Sequence, residues 1–106
     1  MPQKVKDLDH FKEIINTNDT FIFDIGARWC GPCRNMKPIF DEMSTRFKDI
    51  KFYTIDVDTC NEITDCELFD ITSIPMFVII QNKEYKEHVV GANTEALEKM
   101  LLKFSK

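Results

Sequence analysis

Two cysteines, Cys30 and Cys33, stand two residues apart in GARWCGPCRNMKP, residues 26–38. Thiols at that spacing have three uses: half of a metal site, a structural staple, or redox exchange. In exchange, one thiolate attacks a substrate disulfide and forms a mixed disulfide. The second thiol then displaces the product. The other two cysteines, Cys60 and Cys66, could complete a metal site, but five residues lie between them. Zinc-binding cysteine pairs are usually separated by about two to four. A staple needs an oxidising compartment. The N-terminal MPQKVKDLDHF has no apolar segment of the kind an export signal carries. Exchange chemistry is therefore the leading use.

A second residue points the same way. Asp24 interrupts the apolar run TFIFDIGA, six residues before Cys30. A carboxylate in a buried strand is costly unless it is partnered or protonated. Asp24 could simply reach water at a strand end. It could also be a carboxyl of raised pKa, able to exchange a proton with a thiol.

The surrounding chain must hold these groups in place. Its 106 residues suit a single domain spanning 1–106, and 43% hydrophobic residues suffice for a core without staples. A net charge of −4 argues against general nucleic-acid binding, which needs basic surface. No apolar run approaches the ~20 residues of a membrane span. A soluble, cytoplasmic protein is the expectation.

Periodicity supplies the elements. Leu8, Phe11 and Ile15 share a helical face, and TFIFDIGA reads as a buried central strand. Met36, Ile39, Phe40, Met43 and Phe47 mark a long helix in which Pro38 is expected to make a kink. IKFYTIDV is the next strand. Thr59 and Glu62 have capping-box spacing for a helix running to about Leu68. MFVII and YKEHVV form a hairpin across QNKE, where a two-residue primed turn lacks its usual glycine. Asn93 caps a last helix with Leu97, Met100, Leu101 and Phe104 on one face. With a short edge strand in residues 2–6, the order is βαβαβαββα. That order predicts an α/β fold, a central mixed β-sheet flanked by helices on both faces.

Cys30 then falls at a strand-to-helix turn, at a helix N-terminus. Unpaired amides and the helix dipole there favour a thiolate. Cys33 lies within disulfide reach. Pro32 suits the first turn, where the N–H it lacks would be unpaired. Gly31 allows another backbone to approach, and Trp29 is a flat neighbour suited to shielding or docking. Cys60 and Cys66 differ from this pair. Six helical residues rise about 9 Å, beyond the ~6.8 Å a disulfide tolerates between Cα atoms. If both are helical they cannot pair. They read as a capping-region residue and a small core residue, with oxidative regulation as the alternative.

WCGPC, within FDIGARWCGPCRNMKPIFDEM, together with IDVD, FDITSIPMFVII and VVGANTEAL in order, resembles the thioredoxin family over roughly residues 5–104. The resemblance implies the thioredoxin fold and a protein-disulfide reductase with Cys30 as nucleophile and Cys33 as resolving thiol. It implies a buried Asp24 behind the pair and an Asp58 hydrogen bond to the Trp29 indole. It also implies a cis Ile74–Pro75 bond facing Cys30, where Ile74 would meet substrate, and an apolar shelf at Gly91 and Ala92. It implies no bound cofactor and no metal. Electrons would come from NADPH through a flavoprotein thioredoxin reductase, with disulfide-containing proteins as substrates and a monomeric state. Two rivals are a disulfide oxidase or isomerase and a non-catalytic binding subunit. The Gly-Pro centre weighs against the first, and the intact cysteine pair against the second. The chain departs from the family pattern at Gly26, where a bulkier or polar residue is common, at Arg28, where a small or acidic one is usual, and at Met76. Arg28, Arg34 and Lys37 add positive charge near the thiols.

Overall fold

A computed structural model describes residues 2–65 and 69–106. Among the described residues nine elements follow in order: β1 (Gln3–Lys4), α1 (Leu8–Ile15), β2 (Thr20–Gly26), α2 (Gly31–Arg46), β3 (Lys51–Asp56), α3 (Asn61–Thr64), β4 (Met76–Gln81), β5 (Glu84–Val90) and α4 (Thr94–Phe104). The five strands form one mixed sheet in the order β1-β3-β2-β4-β5. β1, β3 and β2 pair in parallel, and β4 and β5 run antiparallel.

The two-residue period of the central strands sorts their side chains onto opposite faces. Phe21, Phe23 and Ile25 of β2 join Met76, Val78 and Ile80 of β4 in one core, closed by Phe11 of α1 and Ile63 of α3. Ile22, Phe77 and Ile79 face the other core, built with Met36, Phe40 and Met43 of α2 and Leu97, Met100 and Leu101 of α4. Helices therefore cover both faces. The period that puts Ile22 under α2 also puts Asp24 and Gly26 there.

α2 continues through Pro38, which is exposed. Asn93 caps α4 by accepting the Ala96 amide at 3.0 Å, and Asp7 caps α1 through the His10 amide at 2.8 Å. β4 and β5 are joined by two residues, Asn82 (φ 53°) and Lys83 (φ 67°), so the turn is of the primed type without a glycine. A bulge follows. Ile79 pairs with Glu87 and Ile80 with Tyr85, leaving Lys86 as the extra residue. That extra residue is why Tyr85 joins the first core while Val89, four positions on, joins the second.

Thr59 and Glu62 do not form the expected capping box. The N-cap of α3 is Cys60, with no side-chain capping bond. The Asp56 carboxylate accepts the Asp58 and Thr59 amides at 2.8 and 3.3 Å, which turns the chain earlier and moves the helix start beyond Thr59. α3 ends at Thr64. Leu68, its expected end, and Cys66 lie outside the described residues. Cys60 is buried, and its Sγ donates to the carbonyls of Val5 and Lys6 at 3.4 and 3.6 Å. It thus ties the α3 N-terminus to the β1–α1 connection.

Candidate active site

β2 ends at Gly26 and α2 begins at Gly31, so only four residues carry the chain from sheet to helix. The turn is held from both sides. The Cys30 amide donates to the Ala27 carbonyl at 3.2 Å, and the Val57 amide donates to the Gly26 carbonyl at 2.9 Å. Cys30 is the N-cap of α2 with extended backbone, and Pro32 occupies the first turn. Cys30 Sγ accepts the Cys33 amide at 3.2 Å. A first-turn amide, unpaired within the helix, therefore points at this sulfur. Cys30 and Cys33 are joined as a disulfide with Cα atoms 5.2 Å apart. Overall exposure does not separate them, at 6% and 9%. Their surroundings do, because of the two sulfurs it is Cys30 Sγ that accepts a helix amide.

Ala27, Cys30 and Cys33 form a small apolar cluster against which Val57 and Ile74 pack. Ile74 is thereby placed beside the cysteines, and the Ile74–Pro75 bond is cis. The Gly91 amide donates to the Pro75 carbonyl at 2.7 Å, fixing the end of β5 against this loop. Gly91 has φ +93°, a conformation that side chains resist. Ala92 is exposed next to it. A Cβ added to Gly31 meets no described atom within 4 Å, so that side of the motif is open to a partner. Trp29 is 67% exposed, and its Nε1–H donates to Asp58 Oδ2 at 2.9 Å. One edge of the indole is pinned while its face stays open to solvent.

Asp24 lies beneath α2 on the Gly26 side of the disulfide. Burial, and secondarily the nearby charge of Asp41, raise its pKa to about 7, with Lys37 opposing. A Cβ built on Gly26 would stand 3.1 Å from Cys33 Sγ and 3.8 Å from Asp24 Oδ1. Gly26 thus marks the space that both groups border. Two neighbours of the site escaped the sequence reading, Val57 and Ala27. Val57 sits between the two aspartates of IDVD and gave only the signal of an apolar residue at a strand end.

A thioredoxin family model matches residues 2–103. The chain belongs to the thioredoxin family. It is 36% identical over 105 residues to a thioredoxin of Coprinus comatus, covering 97% of each chain. It is 36% identical to thioredoxin 1 of Plasmodium falciparum, covering 90% of this chain and 89% of that one. It also superposes on a solved Plasmodium falciparum thioredoxin structure with a TM-score of 0.92 at 34% identity, over 97% of this chain and 99% of the other. A Malassezia sympodialis thioredoxin structure gives a TM-score of 0.90 at 29% identity, over 100% and 96%. Family membership, the fold and the Cys30–Cys33 pair together make this a protein-disulfide reductase acting by dithiol–disulfide exchange.

Proposed function

We propose that Cys30 is the attacking thiolate, Cys33 the resolving thiol, and Asp24 the group that takes the resolving proton. The observation that carries this assignment is the Cys33 amide directed at Cys30 Sγ from the first turn of α2. Negative charge on that sulfur meets a helix N-terminus and a hydrogen-bond donor, which favours thiolate over thiol. In the first step the Cys30 thiolate attacks one sulfur of the target disulfide. The other target sulfur leaves and is protonated. In the second, Cys33 gives up its proton and attacks Cys30 Sγ, and the target's second thiolate departs. A carboxyl with a pKa of about 7 is poised to accept that proton at neutral pH.

Target proteins would dock over Trp29, Gly31, Pro32, Ile74, Pro75, Gly91 and Ala92. The open indole face and the open side of Gly31 support this surface. Asp58 acts through Trp29, holding its ring edge. Among the described residues no helix is long and apolar enough to cross a membrane. A cytoplasmic monomer, recharged by NADPH through a flavoprotein thioredoxin reductase in an electron-transport role, fits the family.

The test is NADPH-coupled reduction of a model protein disulfide, with Cys30→Ser and Cys33→Ser alongside. Both substitutions are expected to reduce turnover by roughly a thousandfold or more. Cys33→Ser should accumulate mixed disulfides with targets, since the resolving thiol is gone. Accumulation in Cys30→Ser instead would reverse the two roles.

A further inference from the structure

A pocket of ≈ 520 Å³ opens beside the disulfide, on the side of the short β1 edge, with Cys33 in its wall. Cys30 is not among its lining residues. Gly26 lines the pocket beside Cys33, and a Cβ there would stand 3.1 Å from Cys33 Sγ and 3.3 Å from Cys33 Cβ, so a side chain at this position would crowd the sulfur. Its volume is in the range of small-molecule sites.

The lining is unbalanced in charge. Lys4, Arg28, Arg34 and Lys37 contribute four cations, against the carboxyls of Asp24 and Asp56. The Asp56 carboxylate is already engaged by the Asp58 and Thr59 amides. Arg34 is held in place, its Nη1 donating to the Arg28 carbonyl at 2.8 Å. Such a pocket favours an anion, and the reactive atom on its wall is the sulfur of Cys33.

We propose that this pocket receives a small thiol bearing carboxylates, which reduces the disulfide by attack at Cys33. The inference rests on the exchange chemistry of the site and adds a second electron donor to it. The donor thiolate bonds to Cys33 Sγ, and the Cys33–Cys30 bond breaks. Cys30 leaves as a thiolate facing the first-turn amide, the better leaving group of the two. A second donor thiol then attacks the donor sulfur of the mixed disulfide. Cys33 departs, takes that thiol's proton, and the donor leaves as its own disulfide. Two small thiols are oxidised and one protein disulfide is reduced.

The experiment measures reduction of the oxidised protein by mercaptosuccinate, 2-mercaptoethanol and cysteamine, with rates expressed per thiolate and corrected for thiol basicity. No protein partner is involved, so failure here is separable from failure of target reduction. Mercaptosuccinate is expected to react roughly tenfold faster than 2-mercaptoethanol, and cysteamine slowest. The preference should fall in Gly26→Val, whose side chain crowds Cys33 Sγ and narrows the pocket there. It should fall likewise in the exposed double variant Arg28→Glu/Lys37→Glu, which leaves core packing untouched. In the reverse direction, the rate of uptake from the mercaptosuccinate disulfide relative to that from cystamine should be larger for the Cys33 thiol of Cys30→Ser than for the Cys30 thiol of Cys33→Ser, whichever thiol is the more reactive. Equal rates for the three thiols, a preference that survives in the charge variant, or an equal or larger anion preference at Cys30 overturns the proposal.

Discussion

β2 presents two different faces to the molecule. Toward α1, Phe21, Phe23 and Ile25 are all buried in a packed aromatic and aliphatic core. Phe23 lies 5.2 Å centroid to centroid from Phe11 in an edge-on arrangement. Toward α2, the same strand presents Ile22, then Asp24, then Gly26. Packing gives way first to a carboxyl and then to an open space as the strand nears the disulfide. One face has only to exclude water. The other gives up packing so that a titratable group and a reactive sulfur can share a space. Neighbouring residues on one strand should therefore respond to substitution in opposite directions.

The largest response is expected on the packed face. Phe23→Ala removes a fully buried ring and leaves a cavity, costing about 3–5 kcal/mol. Urea unfolding should show the loss as a lower midpoint at unchanged slope. Reductase turnover per folded molecule should stay within about twofold, because Phe23 points away from the cysteines. A large turnover defect in the folded variant would mean that the two faces are not independent.

One residue further on, the sign reverses. The folded pKa of Asp24 is raised to about 7 by burial and by Asp41. Its unfolded value is near 3.9. The folded state therefore binds the proton more tightly. The contribution to stability is full below about pH 4, falls as pH rises, and is lost above about pH 7. A three-unit shift corresponds to about 4 kcal/mol at most. Asp24 keeps part of its surface in the pocket, so about 2 kcal/mol is the discounted expectation. Asp24→Asn should thus stabilise the protein by about 2 kcal/mol at pH 8 and hardly at all at pH 4. It should also slow release of the mixed disulfide by about tenfold near neutral pH. Equal stabilisation at both pH values would mean that Asp24 is not the group whose ionisation opposes folding.

How much of this was legible in the sequence depends on the kind of signal. The helices and strands, and the Cys30 position at a helix mouth, follow from periodicity and turn residues that act locally. Asp24 stood out because a carboxylate breaks an apolar run. The start of α3 did not follow, since the deciding contact is the Asp56 side chain reaching forward to two amides, and the T-x-x-E spacing promised a different cap. The bulge at Lys86 was hidden for another reason: the extra residue shows only against a paired strand. Gly26 could be seen as a departure, but an absent side chain leaves no trace in a hydrophobic pattern. Its meaning depends on Cys33 and Asp24 lying across the gap. Val57 belongs to the site through its packing against the cysteines and its amide bond to the Gly26 carbonyl, neither of which an apolar strand-end residue announces.

The smallest effect is expected at the turn joining β4 to β5. Two residues connect these strands, and the register from Gln81–Glu84 back to Met76–Val90 demands the primed turn whatever occupies it. Asn82 tolerates φ 53°, but Lys83 at φ 67° carries a Cβ in the left-handed region. Glycine removes that penalty of about 1–2 kcal/mol, while its freer unfolded chain takes back several tenths. Lys83→Gly should therefore stabilise the protein by about 1 kcal/mol, read as a higher urea midpoint, and leave reductase turnover and the small-thiol preference unchanged. This gain would be pH-independent, unlike the gain at Asp24. Measuring both variants at pH 4 and pH 8 separates backbone strain at the hairpin from charge burial under α2. A loss of stability in Lys83→Gly would mean that the lysine side chain contributes more than its backbone costs.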